Sequence, residues 1–496
     1  METYHNYIDG QWVPAKSGRT FVRENPATGE PLATFPNSDR DDVAAAAEAA
    51  DRALAKWKAT PAPKRGEILF RAGRMLIERK EELARDIVLE MGKVLPEARG
   101  DVQEGIDMTF YMAGEGRRQF GITTPSELPD KFCMAIRQPK GVVGAITPWN
   151  FPIAIPTWKI MPALVTGNTV VFKPSQWAPK SAWNLVKILE EAGLPPGVLN
   201  LVFGEGPETG KAVVDDPRIN FISFTGSNAV GTEVARRCAE LGKGVALEMG
   251  GKNAIIIMDD ADLNLALDGV IWSAFGTSGQ RCTAASRVIV HRGVLDEFQD
   301  RLVERVRRLR LGSGLEPDTD VGPIVSAPQL AKVESYIPVG IQEGAKVAVG
   351  GGRAKDGPLA RGYFFEPTVF IDVRPTMRIA QEEIFGPVTA LIRADSLDEA
   401  IEINNNVPYG LSSSIYTRDI NKAFRAIERI TTGLVYVNAG TIGAEVHLPF
   451  GGTKGTGNGH REAGQAALDT YTEWKSVFID YSGRLQRAQI DTPTLT

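Results

Sequence analysis

Cysteine is scarce in this sequence, which contains three cysteines among 496 residues. So few cysteines exclude a disulfide framework and predict a reducing compartment, which we expect to be the cytoplasm. Long hydrophobic runs are also missing, because the most apolar region, residues 141–172, is interrupted by Pro148, Lys159 and Asn168. That region cannot form a simple membrane span, and the polar residues 1–10 do not resemble a signal peptide. We therefore expect no association with a membrane.

Histidine and excess charge are scarce as well. A net charge of −5 argues against general affinity for nucleic acid, so no nucleic-acid partner is expected. The chain has four histidines, and no cluster of Cys, His and acidic residues has metal-ligand spacing, so no catalytic metal is expected. What the sequence does have is the composition of a globular protein, with 43% hydrophobic and 24% charged residues. Its length of 496 residues predicts two or three domains.

Strand-like and helical patterns alternate from residue 142 onward, which predicts an α/β fold with parallel, helix-covered sheets. A second alternation of the same kind runs from residue 254 to about residue 440. Ligands of such sheets bind beyond the carboxyl ends of the strands. The strands predicted in the first alternation are 142–146, 169–173, 199–203, 221–224 and 245–248.

Residues 275–283, Phe-Gly-Thr-Ser-Gly-Gln-Arg-Cys-Thr, are the first candidate for chemistry. They place Cys282 on a loop between a helical pattern and the strand-like run 288–290. Gly276 and Gly279 allow the backbone to approach a ligand closely. A thiol in this position is a candidate nucleophile, although a small buried thiol with a packing role would explain the same residues.

Two glycine-rich stretches are candidates for binding a phosphate group. Residues 204–210 follow a strand, but their last glycine comes one residue late for the usual dinucleotide fingerprint, and no matching acidic residue follows. Residues 224–231 also join a strand to a helix, and Ser227 with nearby backbone N–H groups would meet a pyrophosphate there. A helix cap at Ser227 or Asn228 explains the second stretch equally well.

Three further motifs complete a recognisable set: residues 148–152 (Pro-Trp-Asn-Phe-Pro), 248–252 (Glu-Met-Gly-Gly-Lys) and 382–387 (Glu-Glu-Ile-Phe-Gly-Pro). Together with residues 277–283, they make the chain resemble the aldehyde dehydrogenase superfamily from about residue 5 to about residue 480. The resemblance implies oxidation of an aldehyde to the carboxylic acid, with NAD or NADP as cofactor.

The resemblance assigns catalytic roles residue by residue. Cys282 matches the thiol that adds to the aldehyde, and Glu248 matches the general base that activates the hydrolytic water. The side-chain amide of Asn150 matches the oxyanion donor, acting with the backbone N–H of Cys282. Lys159 and Glu473 match an exit route for the proton.

The cofactor-binding residues implied by the resemblance include Lys173 for the adenine-side ribose, and Glu383 with Phe385 for the nicotinamide ribose. Gln176 departs from the pattern, because NAD-preferring relatives usually carry Glu there. A neutral side chain repels a 2′-phosphate less than a carboxylate, so use of NADP is also expected. The full set is Thr147, Trp149, Lys173, Ser175, Gln176, Gly206, Phe224, Ser227, Val230, Met249, Gly250, Glu383 and Phe385.

The substrate contacts implied by the resemblance are Glu104, Trp158, Arg281 and Phe450, with residues 440–452 as a substrate-anchoring loop. The combination is similar to the branches that act on 2-oxoglutarate semialdehyde and aminoadipate semialdehyde. In those branches Arg281 would face a carboxylate of the substrate. The alternative is that Arg281 only pairs with Glu445 or Glu104.

The predicted architecture has two Rossmann-like parallel-sheet domains and a small β arm for oligomerisation. The cofactor-binding domain comprises residues 1–125 and 142–249, and the catalytic domain residues 250–448. Residues 126–141 and 470–496 form the arm, which predicts a homodimer or homotetramer. Two alternatives stay open: a CoA-acylating relative, against which Glu248 argues, and a catalytically silent binding protein on the same fold.

Overall fold

The structure, a computed structural model, describes residues 1–491 of the chain. Residues 492–496, which end the predicted arm, lie outside the described residues. The strands are β1 (Glu2–Thr3), β2 (Asn6–Ile8), β3 (Gln11–Val13), β4 (Thr20–Glu24), β5 (Pro31–Pro36), β6 (Ile122–Pro125), β7 (Lys131–Pro139), β8 (Val142–Ile146), β9 (Thr169–Lys173), β10 (Leu199–Leu201), β11 (Phe221–Thr225), β12 (Gly244–Glu248), β13 (Asn253–Ile257), β14 (Ala285–His291), β15 (Lys346–Val349), β16 (Thr368–Ile371), β17 (Val388–Ala394), β18 (Tyr409–Gly410), β19 (Ser412–Tyr416), β20 (Leu434–Val437), β21 (Thr453–Lys454) and β22 (Thr472–Asp480).

The helices between these strands range from single turns to long amphipathic helices. They are α1 (Arg40–Ala59), α2 (Ala62–Glu78), α3 (Lys80–Met91), α4 (Leu95–Glu115), α5 (Ala154–Val165), α6 (Pro179–Glu191), α7 (Lys211–Asp215), α8 (Asn228–Glu240), α9 (Leu263–Phe275), α10 (Leu295–Arg307), α11 (Ala327–Gln342), α12 (Arg378–Gln381), α13 (Leu397–Asn405), α14 (Ile420–Arg429) and α15 (Ala466–Tyr471). Within residues 1–491, no helix is long and apolar enough to cross a membrane.

The first large sheet has the strand order β12-β11-β8-β9-β10-β2-β3. Its first five strands are parallel, and β2 joins the edge antiparallel to β10. Its side chains alternate between two cores: Val143 and Ala145 pack with α2 to α6, whereas Val142 and Ile146 pack with α1, α7 and α8. Because both faces are covered by helices, every residue of β8 is buried.

The second large sheet has the order β15-β16-β17-β14-β13-β19-β20 and is parallel apart from β15. It repeats the two-sided burial, with Ala254 and Ile256 in one core and Ile255 and Ile257 in the other. The predicted α/β class with two parallel sheets is therefore confirmed.

A three-stranded antiparallel sheet, β22-β7-β6, forms the predicted arm. The sequence placed residues up to 125 in the cofactor-binding domain, which is wrong for β6. Ile122 to Pro125 pair with Ala135 to Phe132 of β7, because the chain reverses into a hairpin there. The arm carries exposed apolar side chains, including Trp474 (48% exposed) and Phe478 (66%). The other predicted domain boundaries stay predictions.

Candidate active site

The loop that carries Cys282 begins with a left-handed turn directly after α9. Thr277, Ser278 and Gly279 have φ values of 52°, 57° and 66°, a region that residues with a side chain rarely adopt. Gly279 is further constrained, because a Cβ there would lie 2.0 Å from the carbonyl oxygen of Gly386. The backbone therefore has little freedom in how it reaches the thiol.

The carboxylate of Glu97, in α4, holds this turn. Its Oε2 accepts hydrogen bonds from the backbone N–H of Thr277 at 2.6 Å and from the Thr277 hydroxyl at 2.7 Å. Its Oε1 accepts from Nη2 of Arg281 at 2.9 Å, and Nε of Arg281 donates to the Thr277 hydroxyl at 3.0 Å. These charge-assisted bonds stabilise a backbone conformation that is unfavourable by itself.

Two buried amide side chains fix the backbone on either side of the nucleophile. Gln280 accepts a hydrogen bond from the backbone N–H of Val325 at 3.0 Å. Asn253 donates to the carbonyl oxygens of Cys282 at 2.7 Å and Ala284 at 2.9 Å. The carbonyl of Cys282 is thus occupied, whereas its backbone N–H donates to no acceptor within residues 1–491.

Cys282 lies where two cavities meet. The larger cavity has a volume of about 360 Å³ and the smaller about 160 Å³. Ile155, Thr225, Met249 and Cys282 line both of them. A thiol at such a junction contacts one small molecule from each side, which is the arrangement that a transfer between two bound molecules requires.

The smaller cavity brings together most residues predicted to contact the nicotinamide end of a dinucleotide. Glu383 accepts a hydrogen bond from the backbone N–H of Gly251 at 3.0 Å, and the rings of Trp149 and Phe385 meet edge to face at 5.5 Å. A Cβ on Gly250 would lie 2.3 Å from a Glu383 oxygen, so the glycine leaves this carboxylate room. The predicted residues in its wall are Trp149, Asn150, Ser227, Met249, Gly250, Cys282, Glu383 and Phe385.

A third cavity, of about 720 Å³, is lined by Gly206, Phe224 and Val230 from the predicted set. Ser227 accepts a hydrogen bond from Val230 N at 3.5 Å and so caps α8, as the alternative interpretation of this stretch expected. Because this cap accounts for Ser227 without a ligand, the binding of a pyrophosphate by residues 224–231 stays a prediction.

Lys173 ends β9, and burial lowers the pKa of its ammonium to about 8, against an upward effect of Glu205. The sequence analysis missed Glu205, because that residue lies in the stretch rejected as a dinucleotide fingerprint. Thr147, Ser175 and Gln176 are buried or half-buried beside Lys173 at the carboxyl ends of β8 and β9. A buried cation and hydroxyls at this edge fit an anionic dinucleotide.

Glu248, at the carboxyl end of β12, lines the larger cavity and is 5% exposed. Neither of its carboxylate oxygens has a hydrogen-bond partner within residues 1–491. Burial and then the carboxylate of Glu462 raise the pKa of Glu248 well above its ordinary value, while Lys159 and Arg461 oppose the shift. Such a group takes up a proton readily once a reaction releases one.

The thiol of Cys282 is likewise held neutral in the protein alone. Burial raises its pKa to about 12, and the carboxylates of Glu383, Glu248 and Glu104 add to the increase. The nucleophilic thiolate therefore forms only when a base accepts the thiol proton or when a positive charge enters the site.

Lys159, predicted to lie on the proton exit route together with Glu473, contacts Glu462. Glu473 is exposed on β22 opposite Gln138, and its part in the exit route stays a prediction. Lys159 is 1% exposed and forms an ion pair with Glu462, which lines the larger cavity. An antiparallel bridge between Glu462 and Phe450 returns this segment to the site. Glu462 belongs to none of the motifs recognised in the sequence, so only the fold reveals it.

The predicted substrate contacts share the wall of the larger cavity. The rings of Trp158 and Phe450 meet edge to face at 4.8 Å, and Glu104 and Arg281 lie in the same wall. The partner of Arg281 is Glu97, so the pairing with Glu104 or Glu445 considered from the sequence is wrong. Burial, followed by the carboxylate of Asp101, raises the pKa of Glu104 to about 8.

Arg281, in the wall of the larger cavity, keeps unused hydrogen-bonding capacity. Its Nε and Nη2 are used by Thr277 and Glu97, and its Nη1 has no protein acceptor within residues 1–491. A guanidinium has more N–H donors than these contacts use, and it cannot lose its charge in a protein. An anionic group in the larger cavity would therefore find a cation on its wall.

A cysteine at the junction of two cavities, one of them lined by the predicted dinucleotide contacts, is the arrangement expected of an enzyme that oxidises aldehydes. The model of the aldehyde dehydrogenase family matches residues 12–477. The chain belongs to the aldehyde dehydrogenase family, as its motifs predicted.

Individual relatives agree with this membership. Alpha-ketoglutaric semialdehyde dehydrogenase of Bacillus subtilis (strain 168) is 44% identical over 480 residues, which cover 97% of this chain and 98% of that protein. Glutarate-semialdehyde dehydrogenase of Pseudomonas putida is 41% identical, over 95% of this chain and 97% of that protein. A crystal structure of betaine aldehyde dehydrogenase from Staphylococcus aureus in complex with NAD+ superposes with a TM-score of 0.95, at 36% identity, over 97% of this chain and 95% of that chain.

The raised pKa of Cys282 predicts slow alkylation of the thiol in the protein without cofactor. Between about pH 7 and about pH 10, the rate with iodoacetamide should rise about tenfold per pH unit, because only the thiolate reacts. Mass spectrometry of the modified peptide measures the rate, and the Cys282→Ser protein gives the background from Cys133 and Cys238. A rate that reaches a plateau near neutral pH would contradict the assigned environment of the thiol.

Proposed function

We propose that this aldehyde dehydrogenase oxidises a short semialdehyde with a distal carboxylate to the dicarboxylic acid, with NAD+ or NADP+ as hydride acceptor. The observation that carries the proposal is the position of Cys282 between the smaller cavity, with Glu383 and Phe385, and the larger cavity, with Arg281. Hydrolysis of a cysteine thioester completes the reaction.

The addition step uses the donors around the thiol. As the thiol of Cys282 adds to the aldehyde carbon, its proton passes to a base and negative charge develops on the aldehyde oxygen. The unused backbone N–H of Cys282 and the amide of the buried Asn150 are the donors for that oxygen. Fixed donors in a water-poor site stabilise such charge strongly, because they need no reorganisation.

The dinucleotide side of the site serves hydride transfer. When bound, NAD(P)+ supplies the hydride acceptor and brings positive charge toward the thiol. Glu383 offers a carboxylate for ribose hydroxyls, and Trp149 and Phe385 limit the space beside it. Lys173 offers its ammonium to the ribose or phosphate at the adenine end.

The hydrolytic step uses Glu248. Glu248 lines the larger cavity, where a water molecule would approach the thioester carbon, and neither of its carboxylate oxygens has a protein hydrogen-bond partner within residues 1–491. Glu248 takes a proton from that water as the water attacks, and the thiol of Cys282 leaves. The proton then leaves Glu248 through the neighbouring ion pair of Lys159 and Glu462.

The carboxylated substrate class rests on Arg281 and on the relatives. Two of the relatives, named for alpha-ketoglutaric and glutarate semialdehyde, act on aldehydes with a distal carboxylate. In this chain Nη1 of Arg281 would bind that carboxylate. Glu104, with its pKa raised to about 8, is mostly protonated near neutral pH and does not repel the substrate.

We also propose that the arm joins copies of the chain into a homodimer or homotetramer, and that the enzyme acts in the cytoplasm. Trp474 and Phe478 leave an apolar surface on the arm sheet exposed, and a second copy would cover it. Three cysteines, all free, suit a reducing compartment.

The direct test is the formation of reduced nicotinamide, followed by absorbance, with a panel of aldehydes matched in length. Semialdehydes with a distal carboxylate should be oxidised most efficiently, and the acid should accumulate in equal amount. The Cys282→Ala protein should bind the dinucleotide and turn over none of these aldehydes. Oxidation that requires CoA would instead identify an acylating relative, and turnover by Cys282→Ala would exclude this mechanism.

Replacement of Glu248 by Gln should separate the two halves of the reaction. An amide takes no proton from water, so one equivalent of reduced nicotinamide should appear rapidly and steady turnover should fall about a hundredfold or more. Rapid-quench and stopped-flow measurements resolve the two phases. Loss of the rapid phase would mean that Glu248 acts before hydride transfer.

Replacement of Arg281 by Leu should lower kcat/KM for the carboxylated semialdehyde by roughly ten- to hundredfold, since a bond to a charged group contributes about 1.5–3 kcal/mol. The neutral aldehyde of equal length should be affected much less. Because Arg281 also contacts Glu97, the ratio of the two kcat/KM values is the decisive quantity. Equal losses for both aldehydes would give Arg281 a structural role only, and Arg281→Lys is the control that keeps the charge.

Replacement of Gln176 by Glu should shift the kcat/KM ratio of the cofactors toward NAD+ by about tenfold, because the added carboxylate repels a 2′-phosphate. Gln176→Ala is the uncharged control. In the unmodified enzyme, relative use of NADP+ should fall as the pH rises through about 8, where Lys173 loses its charge. An unchanged ratio in the Glu variant would show that position 176 does not face the ribose.

A further inference from the structure

Two buried hydroxyl groups, those of Ser223 and Tyr471, extend the polar contacts of Lys159 into the core. The Nζ of Lys159 donates to Oγ of Ser223 at 3.2 Å, and Oγ of Ser223 lies 2.9 Å from the phenol oxygen of Tyr471. Ser223, in the middle of β11, is 0% exposed, and Tyr471, the last residue of α15, is 1% exposed. Neither residue lines a cavity next to Cys282.

The directions of these hydrogen bonds follow from the groups. A lysine ammonium only donates, so Ser223 accepts from Lys159. A hydroxyl oxygen has a second lone pair, and Tyr471 donates to it or receives the Ser223 proton. Burial and the charge of Glu462 raise the pKa of Tyr471 well above its ordinary value, so the phenol stays neutral and does not compete with Glu462 for the ammonium.

Tyr471, at the end of the chain of contacts from Lys159 through Ser223, is held in place by its neighbours. Tyr471 packs edge to face on Phe221 at 5.9 Å, and its carbonyl oxygen accepts from Nδ2 of Asn168 at 3.0 Å. Asn168 is itself fully buried and accepts from the backbone N–H of Gly141 at 2.9 Å. The phenol oxygen is therefore a fixed point from which Ser223, and through it Lys159, is positioned.

The Lys159 ammonium lowers the pKa of Glu248 and so favours its ionised form. The charged or titratable groups around Glu248 are Glu462, Lys159, Arg461 and Cys282, and Lys159 is the larger of the two cationic contributions that lower its pKa. Without Ser223, Glu462 would be the only close acceptor of the ammonium within residues 1–491, and the ammonium would lose the contact that holds it toward β11. Glu248 would then hold its proton to higher pH and fail as a base.

We propose that Ser223 and Tyr471 are positioning residues for thioester hydrolysis, because they hold Lys159 at the distance from which it stabilises the ionised form of Glu248. The inference rests on the proposed function, in which Glu248 activates the hydrolytic water. Neither hydroxyl touches the substrate, the cofactor or the reacting thiol.

The test compares Tyr471→Phe and Ser223→Ala with the unmodified full-length enzyme. In a single turnover, formation of reduced nicotinamide should be unchanged within about twofold, because Lys159 takes no part in hydride transfer. At pH values below the pKa of Glu248, loss of the acyl-enzyme, followed by rapid quench and mass spectrometry, should slow by about three- to tenfold. The acidic limb of the pH profile for this step should move to higher pH by about half a unit to one unit.

Two further proteins complete the design. Tyr416→Phe removes the hydroxyl of another tyrosine that is 1% exposed, in β19, and should leave both steps and the pH profile unchanged. The double variant Ser223→Ala/Tyr471→Phe should be no slower than Ser223→Ala alone, since Tyr471 acts through Ser223.

The outcomes separate this inference from the proposed function. If the unmodified enzyme forms no acyl-enzyme with any aldehyde, the proposed function fails. If it does, and Tyr471→Phe retains its rate of hydrolysis and its pH profile, the positioning role alone fails. An equal loss of hydride transfer and hydrolysis would also overturn it, since that pattern indicates a general packing defect. Should Ser223→Ala not fold, Tyr471→Phe, which keeps the ring, decides the question.

Discussion

The carboxylate of Glu97 is the contact on which the rest of the active site depends. It accepts hydrogen bonds from the backbone and hydroxyl of Thr277 and from Arg281, and so stabilises a turn in which Thr277 and Ser278 both have positive φ. Without that turn, the chain leaving α9 would not place Cys282 at the junction of the two cavities. The same carboxylate also orients Arg281, which links the geometry of the nucleophile to the recognition of the substrate.

Around this turn the site combines several carboxylates with deep burial. Burial raises the pKa values of Cys282 to about 12 and of Glu104 to about 8, and it raises that of Glu248 as well. A buried, acid-rich site keeps the thiol protonated in the protein alone, and the positive nicotinamide ring of a bound dinucleotide would favour the reactive thiolate. Lys159 and Glu462 then determine how easily Glu248 ionises for the second step.

The sequence predicted the parts of this architecture that depend on local pattern. Residues 142–146 and 169–173 were recognised as strands because they are buried on both faces and form continuous apolar runs. Cys282, Glu248, Asn150 and Glu383 were singled out because they lie in motifs typical of the family to which the chain belongs, and their roles stay predictions. Contacts between segments that are distant in the sequence were missed. Glu97 contacts Arg281, which lies 184 residues further along the chain, and Lys159 contacts Glu462, which lies 303 residues further along. No local pattern reports such a pairing. The pairing of Ile122–Pro125 with β7 is instead a local hairpin, which was not identified from the sequence.

The close approach of Gly279 and Gly386 has a consequence for exchanging parts between relatives. A Cβ on Gly279 would lie 2.0 Å from the carbonyl of Gly386, so the loop before the nucleophile and the loop that carries Glu383 and Phe385 touch backbone to backbone. A chimera that takes its ribose-binding loop from one relative and its cysteine loop from another would have to reproduce this contact to within a few tenths of an ångström. The two loops therefore form one transplantable unit, and grafts of residues 382–387 should carry residues 275–283 with them.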